Sequence, residues 1–197
     1  MRTMEAVLAD SQYAIERLLP IAWQEHDSVT TYQDEIDRLS RFTAEVDADP
    51  DHPYRGDPLS MSHMGAYAML GHAQGELSGL RSRLAYRQFS TSLVAGAVLQ
   101  IGKQALSMVH GSRLKAPAGR TIGSQHLRDI VWFARNQAIH WEERKEDREW
   151  RPCFETLADE FGPHFHRYFE GSLSFDVLAL LGWRSNEDFA RDMKLLA

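Results

Sequence analysis

Arg135, Asn136 and His140 lie within six residues of one another in the stretch FARNQAIHWEE, Phe133 to Glu143. A helix turns about 100° per residue, so Asn136 and His140, four apart, share a face, and Arg135 lies about 140° from His140 on the wheel. An arginine is long enough to bring its guanidinium round to the imidazole's side, so the three groups can surround one small anion such as a phosphate. The chemistry that fits is metal-free cleavage of an RNA phosphodiester. A histidine titrating near neutrality takes a proton from a 2′-hydroxyl or gives one to the leaving oxygen. A guanidinium holds the nonbridging oxygens and the charge that grows in the transition state. An asparagine orients the phosphate or the imidazole. The same residues also suit plain structure, with an arginine that pairs or snorkels and an asparagine–histidine pair that bridges helices.

Such a site needs a helix to carry it and neighbours to hold that helix. The chain reads as almost wholly helical. From about Glu5, Val7, Leu8, Ser11, Ile15, Leu18 and Leu19 recur at helical spacing. Pro20 is expected to kink or restart this helix, because proline lacks the amide hydrogen and clashes with the preceding turn. Ile21 to about Val46 continues it, with a break expected near Ser28–Thr31. DADPDHPYRGDP, Asp47 to Pro58, holds three prolines and a glycine and reads as a loop. A second helix is expected from about Ser60 to Arg87. Its Gly71, Gly75 and Gly79 fall on one face, which suggests close approach by another helix, either within the chain or across a subunit interface. A third, about Ser90 to His110, is apolar nearly all round its first half and should be the central buried helix. The segment Gly111 to Gly123 reads as a loop with Arg113, Lys115 and Arg120. Ser124 is the expected N-cap of the helix that carries the motif, with Leu127, Ile130, Val131, Ala134, Ala138 and Trp141 as its apolar stripe. Short helices are then expected from Cys153 to Phe161, from Ser174 to a stop at Gly182, and after Ser185, where Asp188 completes a capping-box pattern. No strand alternation of convincing length appears, and no internal repeat.

Charge is unevenly spread. Residues 1–60 hold 5 basic and 13 acidic side chains, residues 111–151 hold 9 and 6, and the whole chain is at −6. That balance argues against a broad nucleic-acid-coating surface and leaves room for a local basic site in the middle of the chain. The single cysteine, Cys153, cannot pair within the chain. The opening residues lack a continuous apolar core of the signal-peptide kind, and the apolar run Leu93–Ile101 is too short to span a bilayer. A soluble, cytoplasmic protein with no membrane partner is expected.

RNQAIH resembles the Arg-x4–6-His signature of the HEPN superfamily, in which the residue after arginine is often asparagine, aspartate or histidine; here it is Asn136. The order of a buried helix, a loop and a motif helix is similar too, and the resemblance covers roughly residues 60–170. It implies an all-α helical bundle with short additional C-terminal helices. The whole chain, 1–197, would be one domain: N-terminal helices and proline-rich loop at 1–58, core with motif helix at 59–150, C-terminal helices at 151–197. It further implies a homodimer whose two motifs meet in one composite site, and a metal-independent endoribonuclease leaving 2′,3′-cyclic phosphate and 5′-hydroxyl ends. Arg135 would stabilise the transition state, Asn136 would position, and His140 would be the acid–base group. RNA would be the substrate, no cofactor would be needed, and an antitoxin or regulatory protein would be the partner of a toxin or antiviral defence effector. Other members of that family keep the fold but act as noncatalytic nucleotide- or protein-binding scaffolds, the alternative reading here.

Other constellations are weaker. His72 with Glu76, and His140 with Glu143, put two metal-ligand types on one helix face without a third local partner, and there is no His-Glu-x2-His and no cysteine cluster. Cys153 has no evident base beside it. Trp132 and Trp141 flank the motif as packing residues or as a base-stacking platform.

Overall fold

A computed structural model describes residues 2–49, 52, 64–145 and 147–197. Most of the Asp47–Pro58 stretch and the expected start of the second helix at Ser60 lie outside them. Among the described residues the chain is all-α, with a two-residue hairpin as its only sheet.

The elements fall into two compact units, Met1–Gln24 with Ser90–Ala197, and Glu25–Phe89. Helix α1 runs Met4–Ala48 without interruption. Pro20 does not restart it: Pro20 and Glu16, whose carbonyl loses its amide partner, both lie on the exposed face, where the missing bond leaves no buried orphan. The break expected near Ser28–Thr31 is also absent. The hydroxyls of Thr30 and Thr31 donate back to the carbonyls of His26 and Asp27, at 3.3 and 3.0 Å, which lets both residues sit inside the helix. Helix α2 runs Met64–His110, so the second and third expected helices are one. No glycine or proline stands at Gln88–Ser90 to stop it. Gly71, Gly75 and Gly79 are exposed, and among the described residues nothing approaches the space a side chain would take at any of them. The intrachain form of the close approach read from their spacing is thus absent among the described residues.

In the unit Glu25–Phe89, Ile36 and Leu39 of α1 pack with Ala73 and Leu77 of α2, and Phe42, Leu80 and Leu84 close round them. Arg87 is paired with Glu25 in the same unit.

In the other unit, Val7, Ile15, Leu19 and Ala22 of α1 join Ala95, Val98, Leu99, Ala105 and Leu106 of α2 in the main core. By length and composition Leu70–His110 would suffice to cross a membrane, but these last five side chains are buried against protein. After α2, a short 3-10 turn at Arg113–Lys115 leads to the hairpin of β1, Thr121–Ile122, and β2, Gln125–His126. Motif helix α3 follows, Leu127–His140, and its N-cap is His126 rather than Ser124, which sits in the hairpin turn. Helices α4, Arg151–Phe161, α5, Ser174–Leu181, and α6, Asn186–Lys194, complete the unit. Gly182 stops α5 in the left-handed region at φ 72°. The Ser185–Asp188 capping box of α6 forms in both directions.

Two polar features hold the C-terminal elements. Asp192, nearly buried on α6, accepts two bonds from Arg120, each 2.8 Å, and one from Nε1 of Trp183 at 2.9 Å. Trp23 Nε1 donates to the Trp183 carbonyl at 2.9 Å, tying α1 to the same corner. Burial of Cys153 pushes its thiol up to about 12, which leaves almost no thiolate near neutrality. Iodoacetamide at pH 8 should therefore leave the folded protein unmodified and alkylate it once urea unfolds it, as read by intact mass.

Candidate active site

Helix α3 lies against α2 closely at one point. A side-chain carbon on Gly102 would fall 3.2 Å from Cγ1 of Val131, tighter than ordinary contact, so glycine is what makes room for the Val131 side chain against α2. Further along, Gly96 faces Ala138. The inward face of α3 is Leu127, Ile130, Val131, Phe133, Ala134 and Gln137. Gln137 is the unexpected member. It is fully buried and makes three hydrogen bonds to backbone: its Nε2 donates to the carbonyls of Tyr168 and Gly171, at 2.9 and 2.8 Å, and its Oε1 accepts from the Leu173 amide at 3.0 Å. Every polar atom of the carboxamide is thus matched, as burial requires.

With Gln137 inward, Arg135, Asn136 and His140 emerge half-buried. Arg135 donates through Nε to Oε1 of Gln100 on α2 at 2.5 Å and through Nη1 to Oδ1 of Asn136 at 3.4 Å. The structure brings Asn136 to Arg135 and gives it no hydrogen bond to His140, although the two share a helical face. One turn before Arg135, Trp132 is half-buried against the core, and the Lys103 ammonium lies 4.6 Å from its ring centre. The ring therefore packs, and the face toward α2 is covered by a cation. Burial, then the neighbouring Arg135 charge, lowers the Lys103 pKa.

His140 ends α3. Its Nδ1 lies 2.5 Å from Oε1 of Glu143 across the 3-10 turn Trp141–Glu143. The other Glu143 oxygen pairs with Lys145 at 3.3 Å and with Arg148. Burial lowers the His140 pKa, and the charges of Arg148, Arg135 and Lys103 push the same way, with Glu142 opposing. The Glu143 carboxylate by itself would favour the imidazolium. Its charge is largely met by Lys145 and Arg148, and the net direction stays downward. The imidazolium therefore gives up its proton more readily than a free histidine's would.

The two arginines of the loop before α3 do not join this site. Arg113 pairs with Asp129 and stacks over Phe133, and Arg120 binds Asp192. Sequence reasoning missed Gln100, Lys103, Arg148 and Gln137, which carry no local spacing signal toward the motif. Glu143 was visible three residues after His140, though only as a partner in metal binding. Among the described residues no three His, Cys, Asp or Glu side chains converge as metal ligands do.

Fold and site together define an all-α protein that displays a half-buried histidine and a half-buried arginine on one helix, with cations from neighbouring elements. Comparison with protein-family models, curated proteins and solved structures finds no match.

Proposed function

We propose that the chain is a metal-independent endoribonuclease of the HEPN type, acting on RNA through a composite site in a homodimer, as a toxin or antiviral defence effector. The observation that carries this reading is the placement of His140: it ends the helix that also presents Arg135, both half-buried, and Glu143 joins it to Arg148, so a proton acceptor sits near the cations a phosphodiester needs. Nε2 of one His140 takes the 2′-hydroxyl proton as the 2′ oxygen bonds to phosphorus. The bond from phosphorus to the 5′ oxygen breaks, and that oxygen takes a proton from water while the imidazolium formed in the first step returns its proton to solvent. The products are a 2′,3′-cyclic phosphate and a 5′-hydroxyl. Arg135, oriented by Asn136 and Gln100, holds the nonbridging oxygens.

The test is cleavage of a mixed-sequence RNA by the purified full chain in excess EDTA, with end-group analysis. Cyclic phosphate ends, and no cutting of a strand with 2′-deoxy sugars, are expected. The acid limb of the pH–rate profile should lie below histidine's ordinary pKa of about 6.5, because the lowered pKa keeps the base unprotonated further into acid. An acid limb above that value contradicts the assignment. The scaffold reading rests on a different observation: Arg135 and His140 already have protein partners in Gln100 and Glu143. It predicts nucleotide or protein binding without turnover in the same assays.

A further inference from the structure

Building on the ribonuclease reading, we propose that Glu143 is the positioning residue of the site, holding His140 in the tautomer that presents Nε2 as the proton acceptor. An ionised carboxylate only accepts hydrogen bonds, so the 2.5 Å contact requires the hydrogen to be on Nδ1. The neutral ring then has its lone pair on Nε2, to which no described residue donates. Without such a partner a histidine in water favours the opposite tautomer, with the hydrogen on Nε2 and no base at the solvent side.

The carboxylate is held on both oxygens, since Lys145 and Arg148 grip the one that His140 does not use. The chain makes this grip possible by turning back directly after Glu143. Arg144 takes the left-handed conformation at φ 46°, rare for a residue with a side chain, and its amide donates to the Trp141 carbonyl at 3.4 Å. A non-glycine residue held there is the kind of local cost that persists where the surroundings dictate it. The arrangement is the orienting half of a carboxylate–histidine pair, placed three residues along the same chain.

The experiment is ¹⁵N NMR of the histidine-labelled full chain, with the His140 signals assigned by their loss in His140→Ala, run beside RNA-cleavage kinetics for wild type, Glu143→Ala and Glu143→Gln. Wild type should show hydrogen on Nδ1. Glu143→Ala should move the ring toward the Nε2–H form and lower kcat on the order of 10–100-fold, with KM changed less than about threefold. Glu143→Gln keeps an oxygen acceptor, so it should keep the tautomer and recover part of kcat. It removes the negative charge beside His140 that Lys145 and Arg148 partly meet, leaving Glu142 as the remaining carboxylate against Arg148, Arg135 and Lys103, so its acid limb should move to lower pH. A wild-type ring with hydrogen on Nε2, or a Glu143→Ala protein that cuts RNA at the wild-type rate, overturns the role of Glu143 and leaves the ribonuclease reading standing. A wild type with the expected tautomer that cuts no RNA overturns the ribonuclease reading and the catalytic meaning of Glu143 with it.

Discussion

His140→Ala lowers the rate of RNA cleavage on the order of 10²–10⁴-fold, the span that a positioned acid–base group contributes. Arg135→Ala lowers it about 10²–10³-fold, by removing a preformed cation from the developing charge. Both side chains are half-buried at the outer face of α3, and neither anchors the core. Circular dichroism and the melting temperature should therefore stay close to wild type, which separates lost chemistry from lost fold. Arg135→Lys should recover little, because an ammonium cannot reproduce the Nε bond to Gln100 together with a second donor aimed at phosphate. The two alanine changes should combine less than additively, as groups serving one step do. A His140→Ala protein that cuts RNA as fast as wild type removes the imidazole from the mechanism.

The second large effect is on stability. Asp192→Ala should destabilise the unit that contains α3 by about 2–3 kcal/mol, since three hydrogen bonds of a buried carboxylate are lost while the Arg120 guanidinium stays partly in water. The loss is steep because two donors are stranded at once. The Arg120 guanidinium loses both carboxylate bonds and keeps only the Leu181 carbonyl, while the fully buried Trp183 loses the partner of its indole hydrogen. For a chain of this size the melting temperature falls on the order of 10 °C, which tryptophan fluorescence follows. Asp192→Asn keeps an acceptor for Trp183 and should lose less. A variant Asp192→Ala that melts with wild type would show the network to be dispensable.

The C-terminal helices were legible because their signals are local. Gly182 must take a positive φ, Ser185 and Asp188 cap each other across one turn, and Pro152 stands in the first turn of α4. The burial of Ser90–His110 was legible in part: Ala95, Val98 and Leu99 turn inward as their apolar character suggests, but the first half is not buried all round, and Leu93 is 59% exposed. What was hidden depends on the surroundings. Proline breaks a helix only where the lost bond matters, and at Pro20 it faces outward. Threonines resist helix only until their hydroxyls find the carbonyl four residues back, as Thr30 and Thr31 do. Ser124 has the chemistry of an N-cap, yet the two-residue hairpin moves the helix start to Leu127. In the site, Arg135, Asn136 and His140 stood out by type and spacing. Lys103 and Arg148 reach it from 32 and 13 residues away from Arg135 in the sequence, a distance no helical wheel covers.

Arg135, Asn136 and Gln137 are three polar residues in a row, swept round α3 at about 100° each, and only the third faces inward. Its three bonds to Tyr168, Gly171 and Leu173 act as a key in a shaft. Rotating α3 by one residue would withdraw the carboxamide from all three backbone groups and put the shorter Asn136 side chain or the Ala138 methyl in its place. The azimuth at which Arg135 and His140 leave the helix is therefore fixed before any ligand arrives. Adjustment to a substrate falls to rotamers and to the short turn after His140, and not to a roll of the helix itself.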